Sequence, residues 1–291
     1  MKTSVLIILK VIALTIILFI CFGVAAGVLG QQGGSQSPEE AASAAKALVA
    51  LCLLNTIVLT YIILRSRWTG WRLMAAIFFA YYGVTTFMSQ IESAVFITRL
   101  PPGMLPRLFL MGALIAAPFS VLSVLILGKL KAKTLDADGN ERLIMPISEW
   151  SWKLAAIAVA YVILYFTFGY FIAWRSPAVR EYYGGTDPGS FFTQMSAVLS
   201  ETPWLVPFQI LRAMLWALIA LPIVQMMKGS RLETALVIAL LFSVVMNTQL
   251  LIPNPYMPEA VRMAHLIETA SSNFIFGFLV GWLLSRRRDL V

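Results

Sequence analysis

The sequence predicts an all-α polytopic membrane protein with eight transmembrane helices. Three observations carry that expectation. Of 291 residues, 59% are hydrophobic and only 12% charged, against about 25% charged in a soluble domain; too little polar surface is left to face water. The apolar residues fall in eight continuous runs, where a membrane barrel would alternate. Lysine and arginine gather at one set of run ends, as the positive-inside rule requires.

A bilayer crossing takes roughly 20 apolar residues. Span one is expected at 4–29. It begins with a basic residue, so a signal peptide is the alternative, but the stretch Val11 to Leu29 is longer than the usual signal core. Span two follows at 44–64, span three at 73–97 and span four at 108–128. Next comes "KLKAKTLDADGNERLIMPISEW" (129–150), whose "DADGN" has the turn chemistry of a small hairpin. A calcium loop does not fit, because Gly139 comes too early and Ile147 stands where a bidentate Glu belongs. Span five is expected at 154–174. The connection 175–203 contains the turn-rich "EYYGGTDPG" and then Phe191, Phe192, Met195, Val198 and Leu199 on one helical face. That pattern predicts a short helix lying in the membrane interface or packed over the bundle. Spans six to eight follow at 204–227, 232–252 and 263–284.

With the N-terminus inside, fourteen Lys/Arg residues lie on the cytoplasmic side, including Arg65, Arg67, Arg72, Lys129, Lys153, Lys228 and Arg286–Arg288. Five lie outside: Arg99, Arg107, Arg175, Arg180 and Arg262. The expected location is the cell (inner) membrane with both termini cytoplasmic. Trp68, Trp71, Trp150, Trp152, Trp174 and Trp204 fall near span ends, as interfacial anchors do. The net charge of +8 therefore reads as topology and anionic-lipid contact; no nucleic-acid motif accompanies it. Cys21 and Cys52 offer neither a CxxC nor a disulfide framework.

The two halves, 1–150 and 151–291, carry similar landmarks in the same order. "ILFICFG" (17–23) resembles "ILYFTFG" (163–169), and "GWRL" (70–73) resembles "GSRL" (229–232). Gln90-Ile91-Glu92 corresponds to Asn247-Thr248-Gln249, and Arg107 with "AAPF" (116–119) corresponds to Arg262 with "SSNF" (271–274). The order predicts two four-helix units of the same orientation, related by an axis along the membrane normal.

The candidate site is a layer of polar groups inside the spans. Placed about five residues from the outer ends of spans three and eight, Glu92 and Glu268 are expected roughly 8 Å below the outer boundary. Gln90, Gln209, Arg212, Asn247, Gln249, His265, Ser271, Ser272 and Asn273 fall in the same layer. His265, Glu268 and Ser272, spaced i, i+3, i+7, share one face of span eight. Charged groups in lipid cost about 2.5–3.5 kcal/mol on insertion scales, so they should turn inward. The bland alternative is a strut, Arg212–Glu92 or Arg212–Glu268, with Asn and Gln holding helices together.

Gln90, Glu92, Arg212, Asn247, Gln249, His265, Glu268 and Ser272 are the expected ligand-binding residues, for a small polar or lipid-headgroup ligand. A metal site would need more than one reversed Glu-x-x-His pair with Glu92, so neither metal nor cofactor is expected. GxSxG, HExxH, the P-loop and GxGxxG are all missing from the sequence. Transport of a small solute or lipid headgroup is the leading expectation. A non-transporting membrane protein for binding, sensing or assembly comes second, and an outer-leaflet lipid-modifying enzyme third.

Overall fold

The computed structural model describes residues 2–29, 37–97, 101–131 and 142–285, with side chains from Ser4 onward. Eight helices are long and apolar enough to cross a bilayer: Ser4–Val28, Pro38–Leu64, Gly70–Phe96, Met104–Ile126, Ile147–Ala173, Leu205–Met226, Arg231–Leu251 and Glu259–Leu284. These are spans one to eight. Two short helices, Pro177–Tyr183 and Phe191–Glu201, lie between spans five and six. No strand occurs among the described residues. The chain is an all-α polytopic membrane protein, and its surface says so directly. Ile8, Ile12, Ile16, Ile20, Val24 and Val28 stand exposed every fourth residue along span one, a stripe only lipid can cover. The expected "DADGN" hairpin lies outside the described residues.

Helix ends depart from expectation where polar residues extend a span. Span two starts at Pro38 because Ser37 and Glu40 form a reciprocal capping box, which satisfies two otherwise orphaned N–H groups. Span five starts at Ile147 because Lys153 meets Glu149 one turn earlier at 2.8 Å. The two charges neutralise each other along the helix. Span eight starts at Glu259, directly after Pro258.

Span one packs on spans two and four, and span three packs on span four. Span five packs on spans six and eight, and span seven on span eight. Across the middle, span two meets span seven while span three meets span six. The tightest approach is between spans seven and eight. A Cβ added at Gly277 would lie 2.8 Å from the Ile238 carbonyl oxygen, and one at Gly281 would lie 2.6 Å from Ala235 Cα. Gly277-x-x-x-Gly281 thus lets two backbones touch, the small-residue packing that membrane helices use in place of a hydrophobic drive.

One end of the bundle is basic, carrying Arg65, Arg67, Arg72, Lys129, Lys131, Lys153, Lys228 and Arg231. Its loops are stitched together. Ser66 and Met227 form an antiparallel bridge. The Arg67 N–H donates to the Met226 carbonyl at 2.7 Å and the Lys228 N–H to the Arg65 carbonyl at 3.0 Å. Lys129 Nζ donates to the Ser66 carbonyl at 2.7 Å. Buried Arg142 donates to Thr234 Oγ1 at 2.8 Å and to the Gly229 carbonyl.

Spans three, five and seven each contain one π-helical turn, at Gly83–Phe87, Gly169–Ala173 and Leu241–Val245. Such turns redirect side chains and leave carbonyls short of partners. In span seven Asn247 supplies the missing donor, its Nδ2 reaching the Ser243 carbonyl at 2.7 Å.

Candidate functional site

The half of the bundle away from the basic face holds a cavity of about 1530 Å³. Spans three to eight and the helix Phe191–Glu201 wall it. It reaches the face opposite the basic one, where Arg107 and residues 252–257 line its mouth. Gln90, Glu92, Arg212, Asn247, Gln249, His265, Glu268 and Ser272 all border this one space. Asn273 borders it too. Gln209 sits behind Arg212, and the Ser271 hydroxyl is turned back to its own helix at the Ile267 carbonyl.

The depths differ from the sequence expectation. Glu92 lies four residues from the end of span three, about 6 Å, whereas Glu268 lies nine residues from the start of span eight, about 14 Å. They still share the cavity, because the extra first turns of span eight rise beside the helix Pro177–Tyr183. Val179 packs against Val261 there, and the Tyr182 hydroxyl donates to the Tyr256 carbonyl at 2.7 Å.

One Arg–Glu ion pair and one His–Glu contact define the polar wall. Arg212 Nη2 meets Glu92 Oε2 at 2.7 Å and Arg212 Nη1 meets Gln209 Oε1 at 3.0 Å. The guanidinium is almost wholly buried, with Tyr161 and Phe208 rings at 5.6 and 5.9 Å. Of the two struts the sequence allowed, Arg212–Glu92 forms. Glu268 pairs instead with His265, Nδ1 to Oε2 at 2.8 Å. His265 Nε2 meets the Tyr183 hydroxyl at 3.2 Å. Burial pushes the Tyr183 phenol above its ordinary range, so the hydroxyl is neutral and can donate to a bare Nε2 or accept from a protonated one. Nδ1 carries a hydrogen toward the Glu268 carboxylate in either case. A neutral histidine satisfies both contacts. No third metal-ligating side chain joins His265 and Glu268 among the described residues.

Neutral groups mostly serve the protein itself. Asn247 Oδ1 accepts from Thr269 Oγ1 at 2.6 Å, so both ends of its amide are engaged. Gln249 Nε2 donates to Ser89 Oγ at 2.5 Å, joining span seven to span three.

The aromatic lining was not foreseen. Tyr161, Tyr165, Tyr170, Trp174 and Tyr183 all border the cavity. Aromatic residues in an apolar helix carry no sign of whether they face lipid, core or cavity, so no local signal marks them. Tyr161 and Tyr165 lie within electrostatic range of Glu92, Arg212 and Glu268. On the basic side the cavity ends on packed rings. Tyr161 and Phe276 have centroids 4.7 Å apart, Trp216 and Phe242 are 4.3 Å apart, and the Trp216 indole N–H donates to the Tyr161 hydroxyl at 3.3 Å. At the other end, the helix Phe191–Glu201 divides its apolar residues. Met195 and Val198 face the cavity, while Phe192 and Leu199 stay exposed.

Fold and site thus define a multi-pass membrane protein with a deep, one-sided cavity bordered by the Glu92–Arg212 ion pair and the His265–Glu268 contact. Comparison with protein-family models, with characterised proteins and with solved structures finds no match.

Proposed function

We propose that this protein is a transporter for a small solute or lipid headgroup, held here with its cavity open to the outside. The proposal takes the basic face as cytoplasmic, with both termini there, in the cell membrane. One observation carries it: Glu92–Arg212 and His265–Glu268, on three different spans, face one cavity that is closed toward the basic face by rings and stitched loops. Ionisable groups are costly in a membrane, and a shared cavity is where they serve a ligand.

The packing supports a duplicated architecture, 1–150 and 151–291, of the kind transporters use. Replacing each span by the one four later turns the contacts one–two, one–four, three–four and two–seven into five–six, five–eight, seven–eight and six–three. The Ser66–Met227 bridge joins the corresponding loops of the two units. Spans three and seven also carry π-turns at matching places. Separately expressed 1–136 and 137–291 should copurify as a complex; halves that purify only apart would count against two such units.

The stitched basic face favours one second reading, a binding or sensing protein that never opens inward. Accessibility separates the two. In a Cys21→Ala/Cys52→Ala background, a membrane-impermeant thiol reagent should reach Ser272→Cys from outside. Transport requires that Ala220→Cys, below the ring floor, also react from inside, and that Glu268→Gln slow this. Outside-only access at Ser272, with Ala220 inert from both sides, selects the binding protein.

A further inference from the structure

The identity of the ligand class follows from which polar atoms are still free, granted the ligand-binding reading above. Arg212 turns both terminal nitrogens to protein partners, Glu92 and Gln209, and its side chain is 3% exposed. Its Nε has no partner but is buried, so it is closed to a ligand as well. The carboxylates each keep one oxygen in reserve. Glu92 uses Oε2 for Arg212, and Glu268 uses Oε2 for His265. Neither Oε1 has a hydrogen-bond partner among the described residues, and neither is sealed off from the cavity. Glu268 Oε1 faces Gly169, where a Cβ would sit 3.5 Å away.

The surroundings suit a cation. Tyr161, Tyr165, Trp174 and Tyr183 border the space around the carboxylates, and ring faces attract cations, more strongly when water is excluded. Polar side chains such as Gln90, Asn247 and Ser272, with Arg107 at the mouth, share the rest of the wall with an apolar stretch of Phe96, Leu108, Met111, Leu164 and Met195. The cavity of about 1530 Å³ exceeds the roughly 300–1,000 Å³ that holds a drug-sized ligand. We propose that the ligand is an amphiphilic organic cation: an ammonium-type head against Glu268 and Glu92, with its apolar body along the Phe96–Met111 side. Such a head occurs both in free alkylammonium compounds and in ethanolamine phospholipids.

Two ions of equal shape and opposite charge test this. Purified full-length protein in maltoside micelles is titrated with tetraphenylphosphonium and with tetraphenylborate, following tryptophan fluorescence and heat. The phosphonium should bind at least tenfold more tightly. Glu268→Gln should erase most of that preference, and Glu268→Asp should restore part of it, with melting temperatures recorded for each. Equal binding of both ions, or tighter binding of the borate, overturns the cationic assignment while leaving a ligand cavity. Binding of neither ion overturns the cavity reading as well. Displacement of bound phosphonium by ethanolamine phospholipid added to the micelle assigns the head to a lipid. Displacement by decyltrimethylammonium alone assigns it to a free cation. Displacement by neither overturns the ammonium class.

Discussion

Removing either partner of the Arg212–Glu92 pair should have unequal consequences. The Arg212 side chain is 3% exposed and that of Glu92 is 32% exposed. Glu92→Gln leaves a buried guanidinium without its countercharge, facing only neutral amide oxygens at 92 and 209. Breaking a buried pair in this way costs about 3–5 kcal/mol. Arg212→Gln strands a carboxylate already facing the cavity, which can hydrate. Its cost is the lost contacts of Gln209 and Glu92, about 1–3 kcal/mol. The double variant leaves two amides and no net charge, so it should be more stable than Glu92→Gln alone, with a coupling of about 2 kcal/mol. The assay is equilibrium unfolding in mixed micelles, followed by far-ultraviolet circular dichroism. Arg212→Gln costing as much as Glu92→Gln, or strict additivity in the double variant, would refute the claim that Arg212 exists to neutralise Glu92.

Glu268→Gln should behave differently, because its partner is a histidine that is satisfied when neutral. Stability should stay within about 1 kcal/mol of the parent, while ligand binding or transport is lost; a collapse in expression together with rescue by His265→Gln would make the pair a strut. Gly277→Leu and Gly281→Leu should each lower stability by at least about 1–3 kcal/mol, since even a Cβ there meets the span-seven backbone; unfolding curves unchanged in both would show that spans seven and eight do not touch there. Reporter fusions at Asp187 and Asn254 should read outside and one at Gly139 inside, and an inside signal at Asp187 would reverse the sidedness proposed for the cavity.

Composition and run length alone decided that this chain spans a membrane, because 59% hydrophobic residues in long unbroken runs have no soluble solution. The polar residues of the cavity were also legible, since a charge inside an apolar helix stands out wherever it points. Helix starts were less so. Ser37 with Glu40, and Glu149 with Lys153, look like loop residues until their partners are in place. Partner choice belonged to the tertiary structure. Whether Arg212 met Glu92 or Glu268 depended on how spans three, six and eight are arranged, and sequence spacing holds no information across helices. The same holds for the tyrosine lining and for the ring floor of Trp216, Phe242 and Phe276, whose side chains look alike in sequence whether they meet lipid, one another or a ligand. Packing alone sets which of those a ring faces, and so the arrangement of the helices decided that the cavity closes on one side and that Glu268 borders it, paired with His265.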